Sequence, residues 1–282
     1  MTQENKPKIK IISGWTNPGG STVAAINLCN MFNHRGHSCT LYGPHAWHLG
    51  QCESNTLEQA NVNDEDEILL VHFLKFPEKP PQSRKVLLYC HETDVYPVHQ
   101  APKFWDDVVY VSESQQKWQR SEAVKTQAPL IQTPDGWCEG VVIPNVVCPL
   151  RDNSKYDSQA AVIGSIDRHK QTHKSIKRAL DDGHEEVHLY GLVTDEKYYN
   201  RHVKRYVDTG KAIVNGLEQD KQHMYDGVSE VYHSSKRETF NLIKAECEKT
   251  GTAYKGLESA DSGAEYLDDE EIFEKWKTLL DL

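Results

Sequence analysis

The feature that most constrains this chain is its opening. A short apolar run, Lys8–Ser13, breaks into a loop holding Gly14, Asn17, Pro18, Gly19 and Gly20. A stretch beginning at Ser21 follows, in which Val23, Ile26, Leu28, Met31 and Phe32 recur near the helical period; Gly36 stands where a helix would stop, and a second apolar run covers Ser38–Tyr42. Two parallel strands need a crossover of helix length between them, so strand, glycine loop, helix and strand predict the first turn of a doubly wound α/β domain.

The same rhythm continues along the chain. Strand-sized apolar runs stand at Ile68–Phe73, Val86–Cys90, Val108–Val111 and Val141–Ile143, each bounded by polar or Pro-containing loops. A second series covers Ala160–Ile163, Glu186–Tyr190, Ala212–Val214 and Ser229–His233, with helix-length polar stretches starting near Thr172, Asp195 and Glu218. The polar segment Cys148–Gln159 divides the two series. Its position predicts two α/β units, 1–147 and 148–282. The chain closes on LDDEEIFEKWKTLLDL, an amphipathic helix that could pack back on the first unit.

Composition removes several classes of function. No window approaches 18 consecutive apolar residues, so no transmembrane helix and no integral membrane contact are expected. The N-terminal MTQENKPKIKIISG lacks the apolar core of a signal peptide, and a cytoplasmic protein is expected. Seven scattered cysteines with no C-x-x-C pair argue for reduced thiols without a zinc or redox motif. The net charge of −10 is spread over both series, with 12 basic and 16 acidic residues before Asn145, so neither half is a strongly basic nucleic-acid module. A patch of Lys103, Lys117, Arg120 and Lys125 leaves DNA open as a partner.

The most informative segment is Ser229–Gly256. Glu238 and Glu246 lie eight positions apart; were one helix to carry both, its rise would separate them by about 12 Å along the axis. That is too far to share a small metal ion or to form a glycosidase pair. It suits a nucleotide-sugar gripped at both ends, with the amides of Thr239, Phe240, Asn241 and Leu242 facing the diphosphate between them. On spacing alone, two glutamates on a solvated helix face are the commoner arrangement.

The segment also resembles the donor site of GT-B-fold retaining glycosyltransferases of the family-four type, in which a strand and a Ser precede a Glu-x7-Glu element followed by Gly-Thr and a strand. The matching residues are Ser235, Glu238, Phe240, Leu242, Glu246, Gly251 and Thr252. AAVIGSIDRHKQTHKSIKRAL resembles the family's glycine loop that presents an Arg and a Lys to the diphosphate; Lys170 matches the Lys, the Arg position is Ser165, and Arg168 would stand in for it. NPGGSTVAAINLCNMFNHRGHSCTLY, VYVSESQQKW with VIPNVV, and LLYCHETDVYP resemble further family elements in the same order, and the last points to His91.

The resemblance implies two Rossmann-like domains facing across a cleft, the second holding the donor. It implies transfer of a hexosyl or pentosyl group with retention from a UDP- or GDP-linked sugar, without cofactor or obligatory metal. His91, Arg168, Lys170 and Glu238 take the catalytic roles; Gly19, Gly20, Ser165, Thr239, Phe240, Asn241, Leu242 and Glu246 take donor binding. The acceptor is expected to be soluble: a small molecule, a protein or a modified DNA base. Ser165 in the arginine position motivates the alternative of a degenerate GT-B protein that binds a nucleotide or sugar-phosphate without turnover. His91 could equally be a buried strand-end histidine. His169 and His173, four apart, are read as surface residues, and Asp64–Asp66 as a solvated acidic loop. The glycine loop does not fit G-x-G-x-x-G, and no G-x-x-x-x-G-K-[ST] loop exists, which removes Rossmann dehydrogenases and P-loop enzymes.

Overall fold

A computed structural model describes residues 6–62, 67–74, 83–91, 105–126, 132–133, 136–137, 139–152 and 159–282. The chain divides into two compact units, one formed by 1–147 with 263–282 and the other by Cys148–Ser262. The last helix therefore belongs to the first unit and is not the end of the second.

In the first unit the elements are β1 (Lys8–Ser13), α1 (Gly20–His34), β2 (Cys39–Gly43), β3 (Ser54–Thr56), β4 (Glu67–His72), β5 (Lys85–Cys90), β6 (Asp107–Tyr110), α2 (Glu113–Thr126), a two-residue-per-strand hairpin β7 (Gln132–Thr133) and β8 (Gly136–Trp137), and β9 (Val141–Val142). Seven strands pair in the order β3-β2-β1-β4-β5-β6-β9, every pair parallel. A parallel sheet covered on both faces has no solvent side, which is why β4, EILLVH, is buried along its whole length and reads as an unbroken apolar run. Between β1 and β4 the ammonium of Lys10 reaches Glu67 at 2.5 Å, so the sheet interior carries one neutralised charge pair.

In the second unit β10 (Gln159–Ile163), α3 (Thr172–Asp181), β11 (Val187–Tyr190), α4 (Glu196–Tyr198), a π turn at Tyr199–Val203, α5 (Lys204–Asp208), β12 (Ala212–Gly216), α6 (Lys221–Asp226), β13 (Val228–His233), α7 (Leu242–Thr250) and β14 (Ala253–Gly256) follow in turn. The five strands are parallel in the order β12-β11-β10-β13-β14. Ile176, Ala179, Val187, Leu189 and Tyr232 fill one face; Tyr225, Val231 and Cys247 fill the other.

The chain then returns to the first unit as α8 (Asp269–Leu280), opened by a capping box between Asp268 and Glu271. Phe273 and Trp276 meet Phe32 of α1 edge to face at 6.4 and 6.0 Å, and Trp276 meets Tyr89 at 5.6 Å. Arg35 pairs with Glu270 across the same contact. The apolar stripe that periodicity shows in the last helix is thus buried by aromatic residues of α1 and β5.

Candidate functional site

A doubly wound sheet offers a crevice outside the carboxyl ends of its strands at the point where the strand order reverses. In the second unit this point lies between β10 and β13. The loop leaving β10 starts at Gly164, whose φ of 121° favours glycine, and its amide donates to Tyr190 O at 2.8 Å. A Cβ on Gly191, just past β11, would lie 1.9 Å from Gly164 O, so only glycine lets these strand ends approach so closely. Asp167 then folds the loop: Oδ1 accepts from the Lys170 amide at 2.8 Å, and Oδ2 accepts from Ser165 Oγ at 2.5 Å and Thr194 Oγ1 at 3.2 Å.

The loop leaving β13 faces it. Lys236 N donates to His169 O at 3.1 Å, and His169 Nε2 donates to Arg237 O at 2.9 Å. At the centre Lys170 Nζ lies 2.5 Å from Glu238 Oε1, and His233 Nε2 lies 3.1 Å from the same oxygen. Burial alone would raise the Glu238 carboxyl. The Lys170 ammonium and the His233 hydrogen bond outweigh it and hold Glu238 well below the ordinary carboxylate value. The site therefore keeps an ionised carboxylate and an ammonium in contact, both reaching the surface in part.

Sequence expectation and structure part at the second glutamate. Glu238 is in the loop, and α7 begins only at Leu242, because Asn241 caps it by accepting the Lys244 amide at 3.1 Å. One helix does not carry both carboxylates, the separation of about 12 Å from helical rise does not apply, and Thr239 and Phe240 precede the helix rather than opening it. The Phe240 and Leu242 side chains are buried. Glu246 is 0% exposed: Lys221 pairs with Oε1, and Tyr225 Oη donates to Oε2 at 3.0 Å. Burial, then the Glu246 charge, pushes the Tyr225 phenol well above its ordinary value and so keeps its hydroxyl a donor. The same two causes push the neighbouring Cys148 thiol up to about 11. Of the three side chains bonded to one another here, Lys221 is the member that reaches solvent.

The structure thus brings Ser165, Lys170, Glu238 and the Thr239–Leu242 turn to one strand-end region; Arg168 lies on the same loop, exposed. Sequence reasoning passed over Asp167, His233, Lys221 and Tyr225. Asp167 had a local signal, an Asp three residues before a Lys in a glycine loop; Lys221 and Tyr225 on α6 had none, because their partner Glu246 stands on α7, and His233 meets Glu238 only through the turn of the loop that follows β13. His173 hydrogen-bonds Tyr198 Oη at 2.7 Å through Nδ1 and is half-buried. Among the described residues no group of three or more His, Cys, Asp or Glu is placed to hold a metal.

The candidates of the first unit gather at its own reversal point, between β1 and β4. Ser13 Oγ lies 2.7 Å from His72 Nδ1. His91, just past β5, is buried, with its ring 4.2 Å from Tyr89 and 5.2 Å from His72. Trp15 is 45% exposed and meets His45 and Phe73 edge to face at 5.9 and 6.1 Å. Gly19 is extended at φ 174°, and a Cβ there would meet only Asn17 O at 3.9 Å; Gly20 is the first residue of α1. Lys117, expected in a basic patch, is bonded to Glu113 one helical turn away at 2.8 Å. Lys103, residues 64–66 and the side chains of Arg120 and Lys125 lie outside the described residues.

Comparison of the whole structure with solved ones decides the architecture. The chain aligns with AviGT4, a glycosyltransferase involved in avilamycin A biosynthesis, at a TM-score of 0.61 and 14% identity, covering 90% of this chain and 80% of that one. Anabaena HepE in complex with UDP and glucose aligns at 0.61 and 13%, covering 97% and 90%. The pneumococcal O-GlcNAc transferase GtfA in complex with UDP and GlcNAc aligns at 0.65 and 8%, covering 97% and 91%. The chain has the GT-B fold. Two α/β units make up the chain, and Lys170 and Glu238 stand at the strand ends of the second. No protein-family model and no curated protein matches the sequence. Among the described residues no helix is long and apolar enough to cross a membrane.

Proposed function

We propose that this GT-B chain is a glycosyltransferase that moves a hexosyl or pentosyl group, with retention, from a nucleoside-diphosphate sugar to an acceptor. The observation that carries the reading is the contact between Lys170 and Glu238 at 2.5 Å, at the reversal point of the second sheet. A diphosphate gains negative charge as the glycosidic bond breaks, and a preorganised ammonium at that point stabilises the transition state more than the ground state. An ionised carboxylate beside it accepts hydrogen bonds from sugar hydroxyls. In this reading Lys170 leaves Glu238 for the diphosphate, Arg168 adds a second cation from the same loop, and the amides of Thr239 and Phe240 line the phosphates. The departing phosphate receives the acceptor proton, so no protein nucleophile is needed and no step runs through a metal.

Glu246 is buried behind Lys221, so its part in holding a nucleoside is exerted through that lysine. The acceptor belongs to the first unit, where His91 orients it from beneath. Ser13, Trp15, His45, His72, Phe73 and His91 offer hydroxyl, imidazole and aromatic groups, which suit a neutral, soluble acceptor, whereas a DNA base would call for phosphate neutralisation. One observation favours the non-catalytic alternative: Asp167 holds Ser165 where the resemblance expects an arginine, which places an acid in the phosphate loop.

The test is a thermal-shift screen against UDP, GDP, TDP and ADP, followed by donor hydrolysis with the matching nucleotide-sugars. A ligand that binds the native state raises the apparent melting temperature by mass action. A shift with one diphosphate and release of free sugar support the enzyme; a shift without turnover supports the binding protein; no shift with any of the four overturns the donor site.

A further inference from the structure

Glu238 is held from two sides. Lys170 has an obvious use at a diphosphate, but His233, the last residue of β13, is 3% exposed and has no part in the donor reading so far. Its Nε2 lies 3.1 Å from Glu238 Oε1, and on the other edge of the ring Nδ1 lies 3.3 Å from Tyr254 Oη and 3.4 Å from Asn241 Nδ2. The orientation of Asn241 is fixed because its Oδ1 accepts the Lys244 amide at 3.1 Å. Its NH2 group therefore points at Tyr254 Oη, 2.6 Å away, and at Ala260 O, 2.8 Å away.

An amide NH2 only donates. The Tyr254 hydroxyl must accept from Asn241 and keeps its own proton to give, and His233 Nδ1 is the acceptor within reach. The ring proton is then on Nε2, aimed at the carboxylate. Burial opposes a second proton on the ring, as does the Lys170 charge; the Glu238 carboxylate opposes both, and His233 ends below its ordinary value. A neutral imidazole of fixed tautomer thus stands behind Glu238. The relay runs from Asn241 through Tyr254 and His233 to Glu238, and it starts on the residue that caps α7.

We propose that His233 is a positioning residue of the donor site, whose Nε2–H holds the Glu238 carboxylate toward the sugar when Lys170 turns to the diphosphate. The proposal rests on the donor reading given above. Its physical ground is that both bonds converge on one oxygen, Oε1. Once the ammonium leaves, the imidazole alone of these two partners keeps the carboxylate from rotating, and Oε2 stays available to sugar hydroxyls.

The experiment compares His233→Gln, His233→Leu, Tyr254→Phe and Glu238→Gln in the full chain. Binding of UDP and GDP, binding of UDP-glucose and GDP-mannose, and donor-sugar release are measured alongside melting temperature. Glutamine can donate from its amide at nearly the same reach; leucine cannot. The expected result is that His233→Leu lowers kcat/KM by about tenfold to a hundredfold, the size of effect that small misplacements of a reacting group produce. UDP or GDP affinity stays within about twofold, because a bare diphosphate does not need the sugar end. His233→Gln recovers most of the loss, and Tyr254→Phe, which removes the proton given to Nδ1, falls between them. In the Glu238→Gln background, His233→Leu costs nothing further.

Wild-type kcat/KM in His233→Leu alongside a loss in Glu238→Gln overturns the proposal and leaves the donor reading standing. Wild-type kcat/KM in Glu238→Gln overturns the reading, and the proposal with it. Should His233→Leu fail to fold, His233→Gln and Tyr254→Phe decide: equal losses of diphosphate and nucleotide-sugar binding in both mark a structural role and overturn the proposal.

Discussion

The two units are wound the same way and differ at the same place. In each, a parallel sheet reverses its strand order between the first strand and the fourth, and loops leaving those strands meet at the carboxyl edge. In the second unit that edge carries charge: Asp167, Lys170 and Glu238, with His233 behind them. Among the described residues of the first it is aromatic and rich in imidazole, with Ser13, His72, His91 and an exposed Trp15. The first unit does have a buried ion pair, Lys10 with Glu67, but Glu67 opens β4, at the amino end of the sheet and away from the crevice. Topology offers each unit a place for a ligand; the side chains at the strand ends decide whether a charged group or a neutral ring is held there.

The contrast breaks most sharply on the two lysine–glutamate pairs, Lys170 with Glu238 and Lys10 with Glu67. Lys170→Ala is expected to lower donor turnover by about a hundredfold to a thousandfold, the usual cost of removing one group that stabilises transition-state charge. Glu67→Gln is expected to lower stability and to leave UDP and GDP affinity unchanged, as is Trp15→Ala at the first unit's crevice. Donor-sugar release checks the first, urea denaturation the stability of Glu67→Gln, and isothermal titration with each diphosphate the affinities; diphosphate affinity lost on Glu67→Gln or Trp15→Ala would put the binding edge in the wrong unit.

Next in size is a stability effect inside the second unit. Glu246→Ala leaves the Lys221 ammonium and the Tyr225 hydroxyl without their shared acceptor. Breaking a buried pair costs roughly 3–5 kcal/mol, and solvent at Lys221 puts this one at the low end. Urea denaturation should show the loss, with Lys221→Met costing at least as much because it leaves the fully buried Glu246 carboxylate without its cation; equal stability of Glu246→Ala and wild type would mean the pair is not formed.

A smaller effect is the acid limb of stability. Glu238 has its folded pKa depressed below the ordinary 4.5, so its contribution is complete above about pH 4.5 and is lost as the pH falls from there toward the folded value. Glu238→Gln should flatten that part of a stability-against-pH curve, and an unchanged acid limb would contradict the Lys170 contact. The smallest expected change is a gain: Ser165→Arg restores the cation that the family resemblance places there and should strengthen diphosphate binding several-fold, about the contribution of one charge-assisted hydrogen bond. Weaker binding would show that the Ser165 bond to Asp167 matters more than the added charge.

Most of the strands were legible because buried parallel strands are written as short apolar runs. The very short β3, β7 and β8 were not, since two or three residues carry no period. Lys170 and Glu238 were each picked out, but their contact was not, for they are 68 positions apart and meet only through the order β10-β13. The reading of Glu238 and Glu246 as one helix failed at Asn241, a residue whose capping strength is local but whose choice of helix start depends on Tyr254 and Ala260 holding its amide.

By itself the sequence determined two βαβ series, where they divide, and that Lys170 and Glu238 follow strand ends, because hydrophobic period and glycine placement act over neighbouring residues. Only the tertiary structure decided that Lys170 and His233 share one oxygen of Glu238, that Glu246 is buried behind Lys221, and that the last helix completes the first unit. Those facts depend on which strands lie side by side, and strand order is settled by packing the whole sheet.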